Sequence, residues 1–332
     1  MRTLPHDVGR LLRSGHGVFS VTEAQARGIT RSRLARLERS ALLVRLAKGV
    51  YADAAEYAAA DEWTAFTQRS RAFTLACGPW AAAAGWSAAA VLGLPVIGTP
   101  PAQPLAVVPV GARMASDNVA GRLRAVALAP HHRTYANGCR VTSAPRTIVD
   151  VARTSSRAEA LVAADAALAA GATVAELRAV VEFQACWRGI RTATWVVDHA
   201  DGFAESPLET LGRLAFIEYG LPVPVSNAWI DTGQGRYRVD HLLPDRWLVF
   251  EGDGALKYDN RLDAGRVVAD QREREWQLRE LGLEVVRYGW DLARYDHRRL
   301  AARFARAIER CPVRPEPVPW WRGPVPHRLG SG

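Results

Sequence analysis

The residues best suited to chemistry in this chain lie in one stretch, Arg236 to Lys257, RYRVDHLLPDRWLVFEGDGALK. Asp240, Glu251, Asp253 and Lys257 stand there in the spacing D-x10-E-x-D-x3-K. The stretch reads as two strands, roughly 236–243 and 247–251, joined by the turn Pro244-Asp245-Arg246. The apolar run after Arg246, bounded by turn residues, suits a strand buried on both faces. A carboxylate at the end of such a strand needs a partner, because an unpaired buried charge is costly. If the strands pair as a hairpin, Asp240, Glu251 and Asp253 converge, and three like charges repel unless a cation neutralises them. Hard oxygen donors of this kind suit Mg²⁺. The competing reading is a hairpin with Asp in its turns, Asp240 being paired to an arginine such as Arg238 or Arg287.

Several elements must position this stretch. Ser206 caps a helix that starts at Pro207 and runs to about Glu218, which brings Glu205 and Glu209 together at i, i+4. Gly220 to Pro224 turns into a strand over 225–231, and Gly233-Gln-Gly235 makes the hairpin into the stretch itself. A helix over 264–281 offers Val267, Val268, Leu278 and Leu281 on an apolar side and Gln271, Arg272 and Arg274 elsewhere. A strand over 283–288 and a closing helix over 296–310 complete the region. Residues 312–332 hold six prolines and read as a loose tail.

The rest of the chain sets the context. Its 332 residues leave room for two or three domains, and its 48% apolar and 23% charged content is ordinary for a soluble globular protein. Cys77, Cys139, Cys186 and Cys311 are scattered, which argues against structural zinc or a disulfide framework. With no apolar signal segment and an uncharged run from Ala72 to Ala112 cut by prolines, a cytoplasmic protein with no membrane span is expected. The net charge of +9 is concentrated: residues 1–50 carry ten Arg or Lys against three Asp or Glu, giving +7. That is the footprint of a phosphate-binding module. The chain has 41 Arg but only two Lys, Lys48 and Lys257, so each lysine is a hint of chemical need.

Within the basic segment, 8–14 reads as a first helix. Ser20-Val-Thr-Glu23 reads as a capping box opening a second, and Thr30 caps a third, RSRLARLERS. Leu34 and Leu37 face inward, leaving Arg31, Arg33, Arg36 and Arg39 outward. LLVRL, the turn Ala47-Lys48-Gly49 and Val50-Tyr-Ala52 follow as a small wing. This is the order of a winged helix-turn-helix, whose third helix would enter the major groove while Lys48 and Arg45 reach phosphate. The alternative is an Arg-rich solvated helix. GVFSVTEAQARGITRSRLARLERS and LAKGVYA resemble the winged helix of abortive-infection type IV antitoxins. The resemblance implies binding to double-stranded promoter DNA, repression of the protein's own operon and a toxin partner. Residues 54–203 read as an α+β block with helices at 61–76, from Trp86, at 144–153, 155–170 and 174–183, and strands at 104–110 and 123–129. His131-His132 is expected in a surface loop. WSAAAVLGLP and TSAPRTIVDVAR resemble the region after the winged helix in antitoxin-like actinobacterial proteins, which implies a scaffold or partner-binding role.

Helix, three strands, helix, strand is the core order of the PD-(D/E)XK nucleases. SPLETLGR, YRVDHLLPDRWLVFEGDG and REREWQLRELGLEVVRYGW resemble the branch similar to very-short-patch-repair endonucleases, over about 110 residues. The resemblance implies Asp240 as the strand carboxylate, Glu251 as the start of E-x-K and Glu209 as the first-helix acid. It also implies Mg²⁺ held by Asp240 and Glu251 with a contribution from Asp253. The lysine position of E-x-K holds Asp253, so catalysis needs Lys257, Arg274 or Gln271 in the lysine's place. The expected fold is therefore α+β and multidomain: a winged helix over 1–53, an α+β middle region over 54–203, a nuclease-like α/β domain with a mixed sheet over 204–312, and a tail over 313–332. The expected function is a DNA-binding protein with a metal-dependent endonuclease domain in a defence or toxin–antitoxin setting. The alternatives are a repressor or antitoxin whose nuclease fold is an inactive DNA or partner clamp, and a scaffold with incidental Arg richness.

Overall fold

The computed structural model describes residues 3–112, 120–253 and 264–323, with only the backbone of 264–270. The chain divides into two units, Met1–Ala200 and Asp201–Gly332. Both mix helices with sheets of parallel and antiparallel strands, or with a small antiparallel sheet, so the protein is α+β and multidomain.

The first unit opens with α1 (His6–Ser14), β1 (Val18–Ser20), α2 (Val21–Ala26), α3 (Arg31–Arg39), β2 (Leu43–Ala47) and β3 (Val50–Asp53). Ser20 and Glu23 form the capping box in full, each satisfying the other's backbone N–H. Thr30 Oγ1 accepts from Arg33 N at the start of α3. The strands form one sheet in the order β1-β3-β2. Gly49, at φ +70°, supplies the left-handed step of the β2–β3 turn beside Lys48. Leu34 and Leu37 pack with Val8, Leu11, Leu12, Phe19, Ile29 and Leu43, which fixes the face α3 turns outward.

The unit continues through α4 (Ala54–Ala59), α5 (Glu62–Ala76), β4 (Ala82–Ala83), α6 (Trp86–Leu92), β5 (Leu105–Pro109), β6 (Arg122–Val126), β7 (Arg133–Ala136) and β8 (Cys139–Thr142). It ends with α7 (Ala144–Thr154), α8 (Arg157–Ala169), α9 (Val174–Phe183) and α10 (Ile190–His199). Its second sheet runs β6-β5-β4-β8-β7. The expected surface position of the two histidines holds only for His131. His132 is buried, its ring edge-on to Phe183 and its Nδ1 3.3 Å from Arg146 Nη1. Burial, with Arg146 beside it, pulls the His132 pKa down to about 4, so the ring is neutral. Arg146 is itself buried and anchored by Asp150 at 2.8 Å and by the Trp187 ring at 5.0 Å. A buried guanidinium held this way is a packing device for α7.

The second unit contains α11 (Pro207–Glu218), β9 (Val225–Asp231), β10 (Arg236–Leu243), β11 (Leu248–Asp253), α12 (Ala264–Glu280), β12 (Glu284–Gly289), α13 (Trp290–Tyr295), α14 (His297–Arg310) and β13 (Trp320–Trp321). The sheet order is β12-β11-β10-β9-β13, with β11 and β12 parallel and the other pairs antiparallel. On one face Phe216 of α11, Phe250 of β11 and Phe304 of α14 pack ring against ring. On the other, Val239, Val249 and Val285 meet Leu278 of α12. Gly212 marks the closest approach of α11 to the sheet: any side chain there would collide with the Tyr288 hydroxyl.

Of the segment read as a loose tail, the described part, up to residue 323, is instead built into this unit. Arg314 N donates to Asp245 O, Val318 N to Pro244 O and Trp247 Nε1 to Glu316 O. Val318 is buried, and β13 pairs with β9. Proline removes backbone donors at its own positions, but the non-proline residues between keep theirs, and the segment uses the N–H groups of Arg314 and Val318 with the Glu316 carbonyl and the apolar Val and Trp side chains.

Candidate functional site

The second unit gathers its acidic residues where β10, β11 and the start of α11 meet. Asp240 and Glu251 lie one residue beyond the paired His241 and Phe250, so the hairpin brings the two carboxylates together as the sequence suggested. In β9, Asn227 takes a left-handed φ of +48°. The ladder runs Val239 to Ala228 and then His241 to Ser226, with no pairing for Asp240. Such a kink re-aims side chains, as bulges do. Asp240 Oδ2 accepts from Gly252 N at 2.8 Å.

Glu209 is close enough to raise the Asp240 pKa, but its own oxygens are committed. They accept from Glu205 N at 2.9 Å, Ser206 Oγ at 2.7 Å and Asn227 Nδ2 at 2.6 Å. Its structural work is to tie the start of α11 to the kink in β9. Glu251 Oε1 accepts from Arg274 Nη2 at 2.8 Å, and the same nitrogen reaches the Arg238 carbonyl at 2.5 Å. Asp253 stands apart: half its side chain is exposed and it faces Arg287 at 3.5 Å. It does not join the other carboxylates, because beyond Glu251 the strand leaves β10 and follows β12. The arginines proposed as alternative partners of Asp240 are engaged elsewhere, Arg238 with Glu205 and Arg287 with Glu275 and Asp253. Lys257 lies outside the described residues.

Burial, followed by the charge of Glu209, raises the Asp240 pKa from 3.8 to about 6. Burial, followed by the charge of Asp240, raises that of Glu251 from 4.5 to about 8, against the pull of Arg274. Arg274 alone touches the two mutually repelling carboxylates, through Glu251; Arg238 and Arg287 act on them from farther off while paired with other acids, and a third carboxylate is close by. The site therefore carries surplus negative charge that a proton or a cation must offset. Among the described residues no three His, Cys, Asp or Glu side chains gather closely enough to hold a metal among them. Mg²⁺ is commonly held by one or two carboxylates together with water, so Asp240 and Glu251 are a fitting donor pair. Beneath them, His241 is fully buried and bonds Tyr288 at 3.0 Å, and burial draws its pKa down to about 3. The His241 ring is therefore neutral and packs with Tyr288 beneath the carboxylates.

Asp240 opens into a cleft of about 460 Å³ lined also by Trp229, Arg236, Tyr237, Arg238 and Arg274. Sequence reading missed Asn227, Trp229 and Tyr237. No motif marks them, and their place follows from the kink in β9 and the register of β9 on β10.

In the first unit Arg31, Arg36 and Arg39 are exposed on α3, and Lys48 is exposed at the β2–β3 turn. Arg33 differs: it forms a two-point ion pair with Asp7 of α1, at 2.5 and 2.9 Å. That bond to Arg33 holds the Asp7 carboxyl below its usual range. Arg33 thus holds α1 to α3, and the outward basic face is carried by its three neighbours.

Residues 7–52 match the family described as transcriptional regulator, AbiEi antitoxin, so the chain carries an AbiEi antitoxin-like domain at its N-terminus. It is also 36% identical over 175 residues to uncharacterized protein Rv2248 and to uncharacterized protein MT2308, both of Mycobacterium tuberculosis. That match covers 52% of this chain and 63% of each relative. Among solved structures, the crystal structure of RV2827C protein from Mycobacterium tuberculosis matches 68% of this chain and 85% of its own, at 16% identity and a TM-score of 0.33. No helix among the described residues is long and apolar enough to cross a membrane.

Proposed function

We propose that this protein is a DNA-binding regulator of the antitoxin type whose second unit is a Mg²⁺-dependent endonuclease domain. In this reading residues 1–53 are a winged helix on double-stranded DNA, with α3 in the major groove and Arg31, Arg36, Arg39 and Lys48 on base edges and phosphates. Residues 54–203 are a scaffold that could meet a toxin or operon partner, and the domain from 204 has the PD-(D/E)XK fold. The observation that carries the nuclease reading is the Asp240–Glu251 pair, two half-buried carboxylates with surplus negative charge, of which Asp240 lines an open cleft. Perturbed carboxyls in a cleft are what functional sites are made of.

Asp240 and Glu251 would hold the ion. When bound, it would lower the pKa of a water and offset charge building on the phosphate. Arg274, already against Glu251, would contact that phosphate, a task that Lys257 would otherwise take. Glu209 would fix the geometry through α11 and Asn227. Asp253 would act only through Arg287.

A second reading is favoured by the same ion pair. Arg274 occupies one oxygen of Glu251, and Asp253 stands where the resemblance expects a lysine, as in a nuclease fold retained for clamping DNA. Incubating the protein with supercoiled plasmid separates the two. Nicking that requires Mg²⁺ and is lost in EDTA and in Asp240→Asn supports the enzyme. Duplex binding without any nicking, in Mg²⁺ or Mn²⁺, supports the clamp and overturns the enzyme.

A further inference from the structure

We propose that Arg238, Trp229 and Trp321 form a stacking platform for unpaired bases, so that the second unit acts on single-stranded or frayed nucleic acid in preference to intact duplex. The proposal rests on the reading of the adjoining cleft as a phosphodiester site. The sheet register places the three residues in one row across three strands: Arg238 of β10 opposite Trp229 of β9, and Trp229 opposite Trp321 of β13. The indoles lie 6.3 Å apart and within 12° of parallel, and the Arg238 guanidinium sits 5.8 Å from the Trp229 ring centre. Glu205 orients that guanidinium from its edge by an ion pair. The row thus sets a guanidinium and two near-parallel indoles side by side across the sheet, and 39% of the Arg238 side chain at its end is exposed.

The end of the row opens on the cleft that holds Asp240. A base laid on Arg238 would continue the row and bring its phosphate toward Arg274 and the carboxylate pair. Bases inside a duplex are already stacked on their neighbours and have no free face to offer, so only unpaired ones fit. The charges support the same choice. Arg238 is balanced by Glu205 and Arg236 by Asp231 at 3.1 Å, so attraction here comes from stacked surfaces more than from net charge. The site should then depend weakly on salt, whereas duplex binding by the basic first domain depends on it steeply.

The test measures full-length protein in EDTA against a fluorescein-labelled oligothymidine and a labelled hairpin duplex, across a salt series. Because EDTA prevents metal-dependent cleavage, the result is independent of the nicking assay. A protein that never nicks can still pass this test, and one that nicks can still fail it. Trp321→Leu, in the two-residue edge strand, and Arg238→Lys, which keeps the charge but loses the planar face, should each weaken oligothymidine binding about tenfold. Both should leave duplex binding unchanged and the protein folded; Arg238→Lys should also leave the melting temperature unchanged, while Trp321→Leu should lower it modestly by removing packing on Trp229. An Arg238→Lys protein that binds oligothymidine like the wild type would overturn the proposal, since charge alone would then suffice. So would a wild-type protein that binds no oligothymidine, or one whose single-strand binding falls with salt as steeply as its duplex binding.

Discussion

Replacing Asp240 by Asn should stabilise the metal-free second unit at neutral and alkaline pH. Asn keeps an oxygen for the Gly252 N–H, 2.8 Å from Asp240 Oδ2, and removes one of the two charges that burial and mutual repulsion penalise. The Asp240 carboxyl moves from 3.8 to about 6 on folding. At about 1.4 kcal/mol per tenfold change in proton affinity, the ionised form costs up to ~3 kcal/mol, less whatever Arg274 and Glu251 recover by adjusting. Both carboxyls bind their protons more tightly folded than unfolded, so the folded chain holds more protons between about pH 4 and pH 8. Stability is then greatest at the acid end and is lost as pH rises through 6 toward 8. For a unit of this size a gain of ~1–3 kcal/mol corresponds to roughly 3–10 °C. Melting curves in EDTA at pH 5 and pH 8 give the comparison. The wild type should melt lower at pH 8, Asp240→Asn should regain most of that loss, and Mg²⁺ should raise only the wild type, by binding the folded state. A wild type that is more stable at pH 8 than at pH 5, with Asp240→Asn less stable than wild type at pH 8, would refute the charge argument.

In the first domain, Arg36→Ala with Arg39→Ala should weaken binding to duplex DNA and flatten its salt slope, read by fluorescence anisotropy, while the fold stays intact. Arg33→Ala should instead lower the melting temperature, because it strands Asp7, and Asp7→Ala should do the same without adding to it in the double variant. Deleting residues 313–332 should destabilise the second unit by a few kcal/mol in a denaturant melt, since Val318 and the bonds from Arg314, Val318 and Trp247 go with it. Gly212→Ala should cost several kcal/mol by forcing α11 off Tyr288, and Tyr288→Phe should recover part of the loss in the double variant.

The legible parts of this chain are those in which a local rule and the tertiary contacts agree. The Ser20–Glu23 capping box, the Thr30 cap and the inward Leu34–Leu37 pair could be read directly, because spacing alone sets which groups meet on a helix. The convergence of Asp240 and Glu251 was legible for a similar reason, since a tight turn fixes the register of its two strands. What escaped were pairings decided across the fold. Arg33 looks like its three basic neighbours, and only the approach of α1 gives it Asp7. His132 reads as a loop residue until α7 and α9 enclose it beside Arg146. Asp253 keeps the spacing of a ligand, yet it sits where β11 has already parted from β10, so the spacing places it beside Arg287 and not beside Asp240. Trp321 lies in a proline-rich segment that no periodicity marks, and it acquires a role only because β9 leaves an open edge for it to pair with. The charge at the site follows from the same distinction. Sequence supplies the carboxylates, but it is the fold that ties the nearby arginines to other acids, Arg238 to Glu205 and Arg287 to Glu275 and Asp253, so that among the described residues Arg274 is the arginine in direct contact with the pair, through Glu251, while Arg238 and Arg287 act on it from farther off. The deficit of positive charge that makes this pair a candidate cation site is therefore a product of the packing of α11 and α12 against the sheet.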